Sequence, residues 1–102
     1  MSKTAFISQP MKGKSEDQIR EERKELVQKL KEMGYETIDS VFSDFPNVDD
    51  EYTSIPLAYL SKSLNLLAKC NGVAFASGWE NARGCKIEHE CAKEYGIPIL
   101  ID

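Results

Sequence analysis

Residues 71–77 are Asn-Gly-Val-Ala-Phe-Ala-Ser, and residues 78–88 continue Gly-Trp-Glu-Asn-Ala-Arg-Gly-Cys-Lys-Ile-Glu. The first stretch is an Asn-Gly turn followed by a short apolar run, which is typical of a strand covered on both faces. The second begins with a glycine and passes into a helical pattern over residues 82–95, which ends at Gly96. A buried strand that leads directly into a helix predicts one unit of a parallel α/β sheet.

The same alternation of strands and helices extends over the rest of the chain. Further strands are predicted over residues 4–8, 35–41 and 97–101, and the last is also expected to be covered on both faces. A first helix is predicted from Ser15 to Gly34 and a second over residues 55–69. Apolar stripes at helical spacing mark these helices, with Ile19, Leu26, Leu30 and Met33 in one and Leu57, Leu60, Leu64 and Leu67 in the other. The order predicts an α/β fold with parallel strands and right-handed crossovers, in one domain over residues 1–102.

The composition and the net charge of the chain argue against several classes of partner. The hydrophobic content of 41% and the charged content of 29% are ordinary for a soluble globular protein. A net charge of −4 argues against a nucleic-acid polymer as partner. No apolar run approaches the length of about 18 residues that a membrane span needs, and no signal peptide precedes the first strand, so no membrane partner is expected. Three cysteines without a C-x-x-C pair favour a reducing, cytoplasmic location, and a single histidine argues against a metal site.

Three loops are predicted at the carboxyl edge of the sheet, over residues 9–14, 42–53 and 78–84. Ligands of parallel sheets bind at this edge, where the strand order reverses. The first loop matches neither the Walker motif nor GxGxxG, and no cofactor is expected. The second is acidic, which indicates either a solvated loop or one that binds sugar hydroxyls or Mg²⁺; its acidic residues are Asp44, Asp49, Asp50 and Glu51.

The third loop and the helix after it carry the strongest functional signal. Gly78 allows the chain to leave the strand tightly, and Asn81 is predicted to cap the following helix. Arg83 and Gly84 then fall in the first helical turn. Free N–H groups, a glycine and an arginine at a helix start predict an anion site.

Glu88 lies about one turn inside this helix and shares a face with Ala92. A carboxylate on an apolar face needs a reason to be there, and catalysis is the leading one. The alternative is that Glu88 is an ordinary solvated residue. Trp79 either stacks on a base or sugar or fills the core or a subunit contact. His89 points away from Glu88 and is expected at the surface or at an interface.

Residues 6–13, 71–92 and 96–99 together resemble the nucleoside 2-deoxyribosyltransferase superfamily. In particular, they resemble a branch of small members of about this length. The pattern of that branch is a strand followed by G-W-E-x-S-x-G-x-x-x-E-x-x-x-A, whose glutamate falls on Glu88. The resemblance implies a flavodoxin-like three-layer sandwich with a parallel sheet of four or five strands.

The resemblance also implies a chemistry and a partner. Glu88 would attack the anomeric carbon of a nucleoside or nucleoside 5′-monophosphate and form a glycosyl ester, which water or a second base then resolves. Each site would include residues from a second subunit, so a homodimer or larger homo-oligomer is expected. Apolar area for such a contact is offered by Trp79, Tyr52, Tyr59 and the leucine stripe of the second helix. The implied substrate-binding residues are Ser8, Gln9, Pro10, Met11, Gly78, Trp79, Asn81, Arg83 and Gly84.

Two positions depart from the family pattern. Ala82 replaces a serine that commonly contacts the 5′ group of the substrate, and we interpret Arg83 as its substitute, paired with a 5′-phosphate. The tyrosine near the end of the first strand falls near Phe6 or Ser8, neither of which is a tyrosine. These departures keep a second function open, namely a non-catalytic module that binds or senses a nucleotide-like metabolite on the same fold.

Overall fold

The computed structural model describes residues 3–38 and 53–102, which form four parallel strands and three α-helices. The strands are β1 (Lys3–Ser8), β2 (Tyr35–Thr37), β3 (Gly72–Phe75) and β4 (Ile99–Ile101), and the helices are α1 (Glu16–Glu32), α2 (Ile55–Ala68) and α3 (Arg83–Glu94). A single 3₁₀ turn over Trp79–Asn81 precedes α3. The sheet order is β2-β1-β3-β4, so the predicted α/β class is confirmed and the architecture is compatible with a flavodoxin-like sandwich.

The sheet has a hydrophobic core on each face. Successive side chains of a strand point to opposite faces, so alternate residues of β1 and β3 belong to different cores. The core on the α1 side contains Ala5, Ile7, Leu26, Leu30, Ala74 and Ala76. The core on the side of α2 and α3 contains Phe6, Leu67, Val73, Phe75 and Ala92. Because β3 is buried along its whole length, the prediction of a strand covered on both faces is confirmed there.

The strand order reverses between β1 and β3. The chain leaves β1 through α1 towards β2, whereas it leaves β3 through α3 towards β4 on the opposite side. Ser8 is paired with Phe75 at the carboxyl ends of these two strands. The backbone N–H of Ala76 donates to the carbonyl of Ser8 at 2.9 Å. The two following segments therefore start side by side, at the place where ligands bind in open parallel sheets.

The ends of several elements differ from the prediction. β4 covers only residues 99–101 and is half-buried rather than covered, because it is an edge strand of the described sheet. β2 covers residues 35–37; the rest of the predicted strand after Ile38 lies outside the described residues, as does the acidic loop up to Tyr52. The start of α1 is confirmed, since Ser15 is its N-cap in a complete capping box.

The predicted apolar stripes are buried only in part. Leu26 and Leu30 of α1 and Leu67 of α2 belong to the two cores. Met33 is 49% exposed and Leu57 is 62% exposed. Met33 follows the last turn of α1, and Leu57 borders a shallow groove between α2 and α3 instead of facing the sheet.

Candidate functional site

Glu88 is a buried carboxylate that accepts a short hydrogen bond, the single one that the described residues make to its side chain. It is 6% exposed, which excludes the alternative of a solvated helix residue. The hydroxyl of Ser8 donates to its Oε1 atom at 2.6 Å. Hydrogen bonds from a hydroxyl to an ionised carboxylate are characteristically this short. The pair therefore orients one carboxylate oxygen and leaves the other without a described partner.

The periodicities of β1 and α3 bring this pair together. Ser8 follows Phe6 by two positions and so faces the same layer, the one that contains α3. On α3 the buried positions are Cys85, Glu88 and Ala92, at helical spacing. Ser8 thus meets Glu88 across 80 positions of sequence.

The environment of Glu88 has two opposite effects on the pKa of its carboxyl group. Burial raises the pKa of the Glu88 carboxyl, and the hydrogen bond from Ser8 lowers that pKa in part. Burial also raises the pKa of the nearby Cys85 thiol, which interacts with Ser8 as well. A carboxylate whose pKa is shifted by desolvation beside a specific partner, inside a cleft, is typical of functional sites.

Replacement of Ser8 by alanine is expected to raise the pKa of Glu88 further. The hydroxyl stabilises the ionised carboxylate more than the protonated carboxyl, so its loss favours the protonated form. The change is measured by NMR titration of the Glu88 side-chain carboxyl carbon. Ser77→Ala is the matched control, because Ser77 is exposed at the end of β3. An unchanged titration of Glu88 in Ser8→Ala would contradict the assigned role of the hydroxyl.

Glu88 borders a cleft of about 790 Å³ at the carboxyl edge of the sheet. This volume lies in the range of about 300–1,000 Å³ that is usual for small-molecule sites. Most of the residues implied by the family resemblance line it, namely Gln9, Pro10, Met11, Gly78, Asn81, Arg83 and Gly84. Ser8 reaches the site through its bond to Glu88 rather than as part of the open wall.

The cleft is positively charged although the chain is acidic. Lys12, Lys14 and Arg83 line it, and among the described lining residues Glu88 is the only carboxylate. The Lys14 ammonium is balanced by Glu22 at 2.8 Å, a pairing that lowers the pKa of the Glu22 carboxyl. Within residues 3–38 and 53–102, no carboxylate pairs with Lys12 or Arg83. Lys12 and Arg83, which have no carboxylate partner among the described residues, therefore favour an anionic ligand.

The prediction that Asn81 caps α3 is wrong. Asn81 closes the 3₁₀ turn, where its N–H donates to the carbonyl of Gly78 at 3.0 Å, and the helix begins only after Ala82. Ala82 is the N-cap residue and has no side-chain acceptor, so it does not cap the first N–H groups of α3. These groups add to the anion preference that Arg83 gives this end of the cleft.

Two further predicted residues, Gly78 and Gln9, fix the course of the chain around the cleft. Gly78 adopts a φ of +89°, which favours glycine and lets the chain turn from β3 into the 3₁₀ turn. The side-chain amide of Gln9 donates to the carbonyl of Ile19 at 2.7 Å, which attaches the end of β1 to α1.

Trp79 lies away from the cleft around Glu88. Its ring packs against Phe75, with centroids 5.4 Å apart, and stacks on His89 at 4.0 Å. It borders a separate groove next to α1. The structure therefore does not place Trp79 with the other implied substrate-binding residues, and its position agrees with the alternative role in packing.

The opposite wall of the cleft was not predicted. Four residues of α2 form it, namely Pro56, Tyr59, Leu60 and Ser63. Cys85 of α3 also lines the cleft and was not predicted either. The position of Cys85, three residues before Glu88, was a usable helical signal. The residues of α2 have no comparable local signal, because only long-range packing brings them to the cleft.

The fold and the site together define a class, namely parallel α/β domains with a small-molecule cleft at the point where the strand order reverses. A family described as a domain of unknown function, DUF4406, matches residues 3–101, and the chain belongs to it. No curated protein and no solved structure matches the chain. In the part of the chain that is described, no helix has the length and apolar character needed to cross a bilayer.

Proposed function

We propose that this protein breaks the N-glycosidic bond of a nucleoside or nucleoside 5′-monophosphate, as a hydrolase or as a transferase, with Glu88 as the nucleophile. The observation that supports this most is the buried Glu88–Ser8 pair beside a cationic cleft. The likeness of residues 78–92 to the motif of the nucleoside 2-deoxyribosyltransferase superfamily also supports it.

The proposed chemistry proceeds in two steps. The free carboxylate oxygen of Glu88 attacks the anomeric carbon as the bond to the base breaks, and the base leaves with the bonding electrons and takes up a proton. Water, or a second base, then attacks the same carbon, breaks its bond to the Glu88 oxygen and gives up a proton to the solvent, which restores the carboxylate. A carboxylate beside this carbon stabilises the oxocarbenium-like transition state of both steps.

The position of Arg83 favours a phosphorylated substrate. Arg83 precedes Glu88 by five residues on α3, which corresponds to about 7.5 Å along the helix axis. Both residues line the same cleft, so a ligand that reaches Glu88 also lies beside the charge of Arg83. We therefore propose that Arg83 and the first N–H groups of α3 bind the 5′-phosphate.

A second candidate function is a binding or sensing module for a nucleotide-like metabolite. It is favoured by Ala82 at the usual serine position, and by the lack of a second carboxyl group among the described lining residues to protonate the leaving base. Incubation with a panel of nucleosides, deoxynucleosides and their monophosphates, followed by chromatography of the free base, tests the first function. Calorimetric binding of a panel member without release of base would establish the second.

We also propose that the protein forms a homodimer or larger homo-oligomer through α2 and α3. Leu57 is 62% exposed and Ile87 is 38% exposed, and both border a groove that continues into the cleft at Arg83 and Gly84. A second copy seated there would cover exposed apolar surface and the mouth of the cleft, excluding water from the reaction.

Light scattering coupled to size-exclusion chromatography is expected to show at least twice the chain mass of 11.5 kDa at micromolar concentration. Leu57→Glu is expected to shift the protein towards the monomer, because it places a charge in the proposed contact. Tyr95→Ser removes an aromatic ring that is 83% exposed elsewhere and is the control. A monomeric wild-type protein would contradict the shared-site arrangement.

A further inference from the structure

The only histidine and the only tryptophan of the chain are stacked on each other. The ring centroids of His89 and Trp79 are 4.0 Å apart, with an angle of 8° between the planes. Phe75 packs against both rings, 4.8 Å from His89 and 5.4 Å from Trp79. The stack joins the first residue of the 3₁₀ turn to the middle of α3, and both to β3.

Trp79 belongs to the segment whose neighbouring residues form one wall of the cleft. The segment that Trp79 anchors also contributes Gly78 and Asn81 to the cleft and leads into the start of α3. His89 follows Glu88 in sequence and points about 100° away from it around the helix. We infer that His89 is a positioning residue, which holds residues 78–82 in place through its stack on Trp79, and that protonation of His89 tightens this hold.

The charges around His89 determine the direction of the pH effect. Asp102 at the end of β4 places its Oδ2 atom 3.5 Å from Nε2, a long hydrogen bond but within ion-pair distance once the ring is charged. Glu80 adjoins Trp79 in the 3₁₀ turn, and on α3 Lys86 and Lys93 lie one turn before and after His89. Histidine ordinarily changes its charge between about pH 5 and pH 8. The charged ring gains a cation–π contact with the indole and an ion pair with Asp102, so the hold weakens as the pH rises.

Tryptophan fluorescence provides a direct test because Trp79 is the only tryptophan of the chain. The emission intensity of an indole depends on the charge of the ring stacked on it. The wild-type emission is therefore expected to differ between acidic solution, where a histidine is protonated, and alkaline solution, where it is neutral. His89→Phe keeps an aromatic ring and is expected to remove this difference. The same difference in His89→Phe would overturn the proposal.

Hydrogen exchange tests the positioning itself. In His89→Ala the backbone amides of residues 79–84 are expected to exchange faster by about threefold to tenfold, whereas those of β1 stay protected. His89→Phe is expected to retain most of the protection. Equal protection of residues 79–84 in wild type and His89→Ala would refute the inference. If His89→Ala does not fold, the exchange of residues 79–84 is measured at low and at neutral pH in wild type and in His89→Phe. After correction for the intrinsic chemical rate of exchange, the protection is expected to depend on pH in wild type only.

The inference about His89 rests on the proposed function only in its prediction for catalytic turnover. Neither the fluorescence nor the exchange measurement requires a nucleotide, so either can fail while base release by Glu88 stands, and the reverse also holds. On a substrate found by the panel, His89→Ala is expected to raise KM by more than it lowers kcat, because it loosens the binding wall and leaves the Glu88–Ser8 pair intact.

Discussion

Glu88→Gln is expected to lower the rate of base release by about a thousandfold or more, while the protein stays folded and still binds its substrate. Glutamine has nearly the same shape as glutamate and can still accept the hydrogen bond from Ser8, but its amide oxygen is a very poor nucleophile. The released base is measured by chromatography and binding by calorimetry. Glu90→Gln is the matched control, since Glu90 is exposed two residues further along α3.

The same variant is expected to be more stable than wild type at neutral pH. Burial raises the pKa of Glu88 above its ordinary value of 4.5, so the folded protein holds this proton more tightly than the unfolded chain does. Wild-type stability therefore falls as the pH rises from about 4.5 through the raised pKa, and glutamine avoids this loss. We expect Tm at pH 7 to rise by several degrees, with the difference disappearing at low pH. Full activity in Glu88→Gln would exclude the proposed mechanism whatever its stability.

Arg83→Ala is expected to weaken the binding of nucleoside monophosphates by about tenfold or more, and to leave the binding of nucleosides almost unchanged. A guanidinium paired with a phosphate contributes roughly 1.5–3 kcal/mol, and Arg83 is exposed at the cleft, where no described carboxylate competes for it. Arg83→Lys is expected to recover only part of the affinity, because an ammonium cannot make the paired hydrogen bonds of a guanidinium. Calorimetric titration with matched nucleosides and monophosphates gives both values.

Lys86→Ala is the control for Arg83, since it removes the same charge from α3 at an exposed position outside the cleft. Little effect is expected from it. If both variants weaken monophosphate binding equally, the effect is one of overall charge. If Arg83→Ala weakens nucleosides and monophosphates to the same extent, Arg83 has a structural role and the preference for a phosphate is refuted.

Local sequence patterns determined most of the secondary structure. The apolar runs of β1 and β3 and the helix start at Ser15 depend on neighbouring residues alone, and the structure confirms each of them. Helical spacing also placed Glu88 on the same face as Ala92, which left a buried and a solvated position open as alternatives, and the structure decided for the buried one. These features follow from the periods of strands and helices, which a sequence displays directly.

Only the tertiary structure decided how these elements form a site. Ser8 and Glu88 meet because β1 pairs with β3 and α3 packs on the face that Ser8 occupies, a contact across 80 positions that no local pattern contains. The left-handed turn at Gly78 directs Trp79 onto His89 rather than into the cleft, and the 3₁₀ turn occupies Asn81 before the helix starts. The wall formed by α2 could not be predicted from the sequence either, because the packing of one helix on another depends on side chains that are far apart in the chain.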